Sequence, residues 1–351
     1  MQAISEPPPD FVDEAIEVHS RTASTVSSTS DIFQLVEENG RQYPNYGIHW
    51  YGLPVDHGEQ ERMARQHEHY RVSEGLLHVP IAYPPQRILD LGTGFGEWAI
   101  DVADCFPSAI VTGIDIAPVQ PSLVPPNCNF EIQDMECFWD QADDTFDIIH
   151  LREPILMIRD WPHLFDQVKR CLKPGGWFEI SCTHLAVQCD DGSVLDTSFL
   201  RYVVERLRDA STNLGMSLDC PLHFAQYFHD AGFGAVQTST LPLPVTAWPT
   251  DPQLRAVGEV EHKNLASLSW SIGLRLFREA YGWPPHKTDA VMRLLRAELC
   301  ALDYHPYYNR SVFFLRALIS MPPAKRGFAD TLCVGRNDRD GEGLSRKRPQ
   351  G

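Results

Sequence analysis

Basic residues, paired cysteines and long apolar runs are all scarce in this chain. Its 351 residues carry 30 Lys and Arg against 47 Asp and Glu, a formal charge of −17 at pH 7. That balance works against binding nucleic acid through phosphate neutralisation, so no nucleic-acid partner is expected. No apolar stretch reaches the ~18 residues of a membrane helix, and the longest candidate, 311–321, is interrupted by Arg316, so no membrane partner is expected either. The opening MQAISEPPPDFVDEA has no basic segment leading into an apolar one, and the reading predicts no secretory signal. Nine cysteines are scattered without a Cys-x-x-Cys pair. An odd count in a long chain predicts buried free thiols in a reducing compartment rather than a disulfide framework. Cys182 and Cys189 make no zinc knuckle, so no metal is expected.

What is present is an ordinary globular composition, with 43% hydrophobic and 10% aromatic residues, too rich for global disorder. Residues 1–36, with Pro7-Pro8-Pro9 and RTASTVSSTS, read as a disordered tail. Residues 37–82 are expected to form an N-terminal helical cap, 83–320 the main domain, and 321–351 a polar C-terminal tail ending near Arg346, Lys347 and Arg348. Within the main domain, short apolar runs at 87–91, 109–116, 129–132, 146–151 and 177–182 read as strands. Helical patterns at 97–105 and 161–171 separate them, and a helix over 56–77 precedes them. Further helices are expected at 193–213 and 222–231, with late strands at 233–241 and 311–318. A helical insertion over about 251–303 is expected to cover the sheet's edge. Strands joined by helices of this length predict an α/β fold with a doubly wound, mostly parallel seven-stranded sheet.

The strongest motif is Asp90-Leu91-Gly92-Thr93-Gly94-Phe95-Gly96, where a strand turns into a helix. Glycines there permit a tight turn and close backbone approach by a ligand. Asp115 ends the next strand, where a carboxylate can accept both ribose hydroxyls of an adenosine. In a dinucleotide fingerprint the third glycine comes three residues after the second, whereas Gly96 follows Gly94 by two, and an acid precedes the turn. An acid suits a positively charged ligand end better than a pyrophosphate. S-adenosylmethionine fits, with its ammonium and sulfonium groups. A nicotinamide or flavin dinucleotide, and a glycine loop that binds nothing, are the competing readings. Asp134 and Met135 follow the third strand, where Asp134 can face an adenine amino group, and Pro174-Gly175-Gly176 reads as a helix stop and turn.

The ordered set ILDLGTGFGEWAIDVADCFPSAIVTGIDIAPVQPSLVPPNCNFEIQDME, FDIIHLR, DWPHLF and LKPGGWFEI resembles the class I S-adenosylmethionine-dependent methyltransferases. More narrowly it resembles the fungal LaeA-like (UMTA-type) secondary-metabolism group, as do EENGRQYP and DHGEQERMARQH upstream. The resemblance implies that Asp90, Gly92, Thr93, Gly94 and Gly96 hold the methionine end and Asp115 the ribose. It places Ile116 against the adenine, Asp134 and Met135 at the adenine edge, and His150 beside the cofactor. Where many relatives have a small, glycine-containing segment after the fourth strand, this chain reads Arg152-Glu153-Pro154-Ile155-Leu156-Met157.

Methyl transfer from an activated donor needs alignment and water exclusion, and a base only where the acceptor must lose a proton. His150 and His184, at the ends of two strands, are the candidate catalytic bases, with a hydrogen-bonded core role as the competing reading for His150. Aromatics at 46, 50, 51, 248, 270, 304, 307 and 308 are candidates to line an apolar acceptor pocket. The expected partner is a small-molecule acceptor, aromatic or polyketide-like. The resemblance equally implies a second reading, a regulator acting on protein partners. The expected location is the cytoplasm, or the nucleus for the regulator.

Overall fold

The structure, a computed structural model, describes residues 34–45, 51–301 and 303–318. Most of the expected N-terminal tail, the expected C-terminal tail with Arg346 to Arg348, and the aromatics Tyr46 and Trp50 lie outside the described residues.

The first elements correct the expected boundary and type. Strands β1 (Leu35–Glu38) and β2 (Arg41–Pro44) pair antiparallel, where a tail and then a helical cap were expected. Asn39 and Gly40 join them with φ of 53° and 73°, the left-handed pair that a two-residue hairpin turn of this sequence favours. Helix α1 (His57–Ser73) follows, capped by Asp56, whose Oδ1 accepts the Glu59 N–H at 3.1 Å. The same carboxylate pairs with Arg41, which ties hairpin to helix.

The main sheet then forms in order: β3 (Arg87–Leu91), α2 (Glu97–Cys105), β4 (Ile110–Asp115), β5 (Cys128–Ile132), β6 (Phe146–Arg152), α3 (Trp161–Cys171) and β7 (Leu172–Gln188). Next come α4 (Phe199–Asn213), α5 (Phe224–Asp230), β8 (Val236–Pro244), α6 (Pro252–Tyr281), α7 (Pro285–Leu299) and β9 (Tyr307–Arg316). The seven strands lie in the order β5-β4-β3-β6-β7-β9-β8, parallel from β5 to β7, with β9 antiparallel to both of its neighbours. The chain runs outward from β3 through β4 to β5, then returns to the other flank at β6. The crevice beyond the ends of β3 and β6 is therefore the switch point at which such sheets bind ligands.

Two differences from the sequence reading have local causes. Strand β7 is much longer than 177–182, because Leu172 already pairs with Phe146 and the Pro-Gly-Gly segment is taken up as an irregularity before Ile148 pairs with Trp177. Helix α4 begins only at Phe199, where the Ser198 side chain accepts the Arg201 N–H and sets the start.

Both faces of the sheet are covered. Leu89, Leu91, Ile149 and Phe178 pack against Leu164, Phe165 and Val168 of α3, while Ile88, Val111 and Ile148 pack against Trp98 and Val102 of α2. Each such large side chain contributes roughly 1.5–3 kcal/mol through burial. Helix α6 lies against α1, α4, α7 and β8, which brings the residues before the sheet and those of the insertion over the same rim. Among the described residues, no helix is long and apolar enough to cross a membrane.

Candidate functional site

The turn after β3 is held by its own chemistry. Gly92, Gly94 and Gly96 all have positive φ, at 63°, 59° and 90°. The Gly94 N–H donates to Asp115 Oδ2 at 2.8 Å, and the Ala117 N–H donates to Asp115 Oδ1 at 2.9 Å. The Gln120 side-chain amide donates to the Gly94 carbonyl at 2.6 Å. Asp115 thus fastens the glycine turn to the end of β4. Burial and the nearby Asp90 push its carboxyl up to about 6, against the opposing pull of the backbone N–H donors.

At Gly94 the left-handed conformation calls for glycine. A Cβ there would lie 2.5 Å from the Met63 Cε, and one at Gly92 would lie 2.8 Å from the Met135 Cε. The turn is therefore a smooth backbone cradle with two methionine ends resting on it. Thioether tails are unbranched and adaptable, so they yield to a ligand at little cost. The glycine cradle at the rim and the carboxylate beside it fit the amino-acid and ribose ends of S-adenosylmethionine.

Next to the cradle, Asp90 and His150 form a buried pair. Asp90 Oδ1 meets His150 Nδ1 at 2.8 Å, and Asp90 Oδ2 accepts the Thr93 hydroxyl at 2.7 Å. The His150 ring stacks on Trp98 of α2, with centroids 3.7 Å apart and planes within 3°. The ring is thereby fixed in position.

The crevice, about 90 Å³, is walled by Asp90, Gly92 and Thr93 on one side and by Met63, Gln66, His67 and Tyr70 of α1 on another. Leu268 and Ile272 of α6 close it. Arg152 donates to His67 Nδ1 at 2.9 Å, and His67 Nε2 lies 3.0 Å from Asp101. With Arg152 as donor, Nδ1 accepts and Nε2 carries the proton toward Asp101. Burial and Arg152 lower the His67 pKa, in keeping with a neutral ring. Burial lowers the Arg152 pKa and raises that of Glu97, which opens α2 at the crevice.

Ile116 follows Asp115 and is partly buried. Asp134 is buried and its Oδ1 accepts the Glu136 N–H at 2.9 Å, which sets the loop that carries Met135. His184 is placed apart from this crevice. Thr183 and Leu185 face the space under α6, and the alternation of a strand turns His184 the other way, where its Nε2 lies 3.0 Å from Asp219. Of the aromatics, Tyr304 bonds Glu298 and Trp248 bonds the Pro306 carbonyl, while Tyr308 turns inward under α6. The wall formed by α1 escaped sequence reasoning as a site. Its trace was the set Met63, Gln66, His67 and Tyr70 at helical spacing, which reads equally well as a packing face.

The methyltransferase domain family matches residues 62–238. The methyltransferase pytC of Aspergillus terreus is 30% identical over 307 residues, covering 86% of this chain and 94% of that protein. The protein-methionine methyltransferase laeA of Emericella nidulans is 33% identical over 287 residues, 80% of this chain and 76% of that protein. Among solved structures, phosphoethanolamine N-methyltransferase 2 of Haemonchus contortus in complex with S-adenosyl-L-methionine aligns with 19% identity and a TM-score of 0.42. That alignment covers 74% of this chain, which spans about half (52%) of the length of that structure. On the match to the methyltransferase domain and the identity to pytC and laeA over most of its length, the chain belongs to the class I S-adenosylmethionine-dependent methyltransferases, in the LaeA-like family.

Proposed function

We propose that the chain transfers a methyl group to an aromatic or polyketide-like small molecule in fungal secondary metabolism, in the cytoplasm. Asp90, Gly92, Thr93, Gly94 and Gly96 hold the methionine end of the cofactor, and Asp115 holds the ribose. Ile116 lies against the adenine, and Asp134 and Met135 meet its edge. When bound, the cofactor supplies a methyl group already activated on a sulfonium sulfur. The chain's own residues then have to align the acceptor and keep water out. In this reading His150 positions Asp90, and Leu268 and Ile272 supply an apolar cover.

The observation that carries the reading is the Gly94 N–H bonded to Asp115 at the C-terminal rim of the sheet, with Gly92 and Gly94 faced by flexible methionine tails. Calorimetric titration with S-adenosylhomocysteine and with NAD tests it. Binding of the former alone supports the proposal, whereas binding of NAD alone overturns it. Metabolite profiling of a deletion strain tests the acceptor class, since loss of a single methylated product is the expected result.

One observation favours a second reading. Met63 and Met157 both line the crevice, and the laeA relative is named as a protein-methionine methyltransferase. Methylation of a methionine in this chain or in a regulatory protein partner, with action in the nucleus, would show as an added methyl mass on a methionine peptide after incubation with S-adenosylmethionine.

A further inference from the structure

A second, smaller cavity of about 30 Å³ adjoins the crevice beneath α6. Gln66, Tyr70, Ile155, Leu185 and Leu268 line both spaces, so one continues into the other. Its remaining walls mix aliphatic Leu243, Val245 and Leu265 with polar Glu153, Thr183, Asn264, Glu261 and Tyr308. Two of these polar side chains carry atoms without partners. Glu261 of α6 is 7% exposed and Tyr308 of β9 is 3% exposed. Neither the Tyr308 hydroxyl nor Glu261 Oε1 has a hydrogen-bond partner among the described residues. The other Glu261 oxygen has only a long contact, 3.4 Å, from the Asn264 amide, and His69 Nε2 stands 3.9 Å from Oε1.

Buried polar atoms without partners are costly. Two in one cavity that continues into the crevice describe a ligand whose polar end meets them. The space near them holds one hydroxyl group or one water molecule. We infer that this cavity receives the hydroxyl of the methyl acceptor, with Glu261 accepting its proton in a hydrogen bond and the Tyr308 hydroxyl meeting its oxygen. The acceptor class is a phenol or enol, whose ring runs back along Ile155, Leu185 and Leu268 toward the cofactor.

The charged surroundings suit this task. Arg310 engages Glu74 and Glu153 rather than Glu261, and it stacks over the Tyr70 ring at 3.7 Å. Arg62 is bound to Glu59 and Asn264. Glu261 is therefore left without a bonded cation. Burial and the Glu153 carboxylate push its carboxyl up to about 7 against the pull of the Asn264 amide, Arg310 and Arg62, while burial and Arg310 push His69 down to about 4.

The inference rests on the proposed small-molecule reading, and its test keeps the two apart. The probe is 4-nitrophenol, titrated into wild-type protein saturated with S-adenosylhomocysteine and followed by its visible absorbance, with nitrobenzene as the analogue that lacks the hydroxyl. The expected result is binding of 4-nitrophenol in clear preference to nitrobenzene. Tyr308→Phe and Glu261→Gln should each weaken it at least about tenfold, with unchanged affinity for S-adenosylhomocysteine. Retained affinity for S-adenosylhomocysteine also shows that each variant is folded. Equal binding of nitrobenzene, unaltered 4-nitrophenol binding in both variants, or no binding by a wild type that holds S-adenosylhomocysteine would overturn the inference. A cavity that holds only a trapped water gives the second of these results. Failure of wild type to bind S-adenosylhomocysteine counts instead against the cofactor crevice.

Discussion

The affinity of this protein for S-adenosylhomocysteine should depend on pH, and Asp115 should be the reason. Its carboxyl, pushed up to about 6, is half protonated at a pH where an ordinary aspartate is fully ionised. A ribose that donates two hydroxyls to this group favours its charged form. Binding therefore draws the pKa down, and protonation competes with the ligand. With a free-state value near 6, the competing protonated fraction weakens binding about tenfold between pH 7 and pH 5, and hardly at all between pH 7 and pH 8. The sign is fixed by the direction of the shift: a carboxyl raised by burial binds hydroxyl donors better as pH rises. The groups that act on it from neighbouring elements are Asp90 of β3, which raises it, and the backbone N–H groups of Gly94 and Ala117, which lower it. Tyr51 also feels this charge, and burial keeps its phenol protonated throughout the range.

The assay is calorimetric titration from pH 5 to pH 8 in buffers of different ionisation enthalpy, so that proton release is measured along with affinity. Wild type should release protons on binding near pH 6. Asp115→Asn should bind more weakly at pH 7, by roughly 1–3 kcal/mol, the scale of bonds to a charged group. Its affinity should be flat from pH 5 to pH 8. A wild-type affinity that does not change with pH, or an Asn variant that keeps the same slope, refutes the reasoning and removes Asp115 from the ribose site.

Other outcomes follow from the same geometry. Gly94→Ala places a Cβ against Met63 at a φ of 59° and should weaken S-adenosylhomocysteine binding at least about tenfold, read by the same titration. His150→Ala removes the Asp90 partner and the Trp98 stack, and should destabilise the fold by about 2–4 kcal/mol in urea unfolding. A variant that is fully stable but inactive would instead restore His150 as a base. His184→Ala should keep its S-adenosylhomocysteine affinity within about twofold, since its partner is Asp219 outside the crevice. Glu261 holds a proton in the folded state between its unfolded value of about 4.5 and its folded value of about 7, so its contribution to stability falls as pH rises through that window. Glu261→Gln should therefore gain about 3 kcal/mol on wild type between pH 4 and pH 7.5, and equal unfolding free energies at both ends would contradict the buried placement.

The fold around the proposed cofactor site was legible because its determinants are local. A glycine turn, a strand-ending acid and a Pro-Gly-Gly stop each state their conformation in a few residues, and the strand of 87–91 and the helices of 97–105 and 161–171 match to the residue. The hairpin has a local signal in Asn39-Gly40, but the four-residue strands around it are too short to show alternation. The acceptor half was not legible. His150 and His184 both end strands in the sequence, and only the stack of Trp98 and the turn of β7 separate their fates. Glu261 and Tyr308 lie 47 positions apart on a helix and a strand that meet only in the folded chain.

The segment after β6 joins the two halves, and its unusual sequence acquires a cause. Glu153 and Leu156 have φ of 50° and 62°, left-handed values that non-glycine residues rarely adopt. Such positions cost on the order of 1–3 kcal/mol each and persist only where the surroundings hold them. The surroundings here are specific. Glu153 accepts the Tyr70 hydroxyl at 3.0 Å and the Thr183 hydroxyl at 2.8 Å, and it pairs with Arg310. Leu156 is buried among the residues beneath α4 and α6. Glycine at these positions would relieve the strain but would supply neither the carboxylate nor the apolar anchor. The bulk of this segment therefore does not block the site. It sets Ile155 and Met157 into the crevice wall, and Glu153 keeps Arg310 away from the carboxyl of Glu261. Glu153→Gly should accordingly free Arg310 toward Glu261, lower the pKa of that carboxyl and weaken 4-nitrophenol binding while leaving S-adenosylhomocysteine bound. Infrared titration of the Glu261 carboxyl in this variant checks the first effect, and a carboxyl still protonated near neutrality would show that Arg310 is held by Glu74 alone.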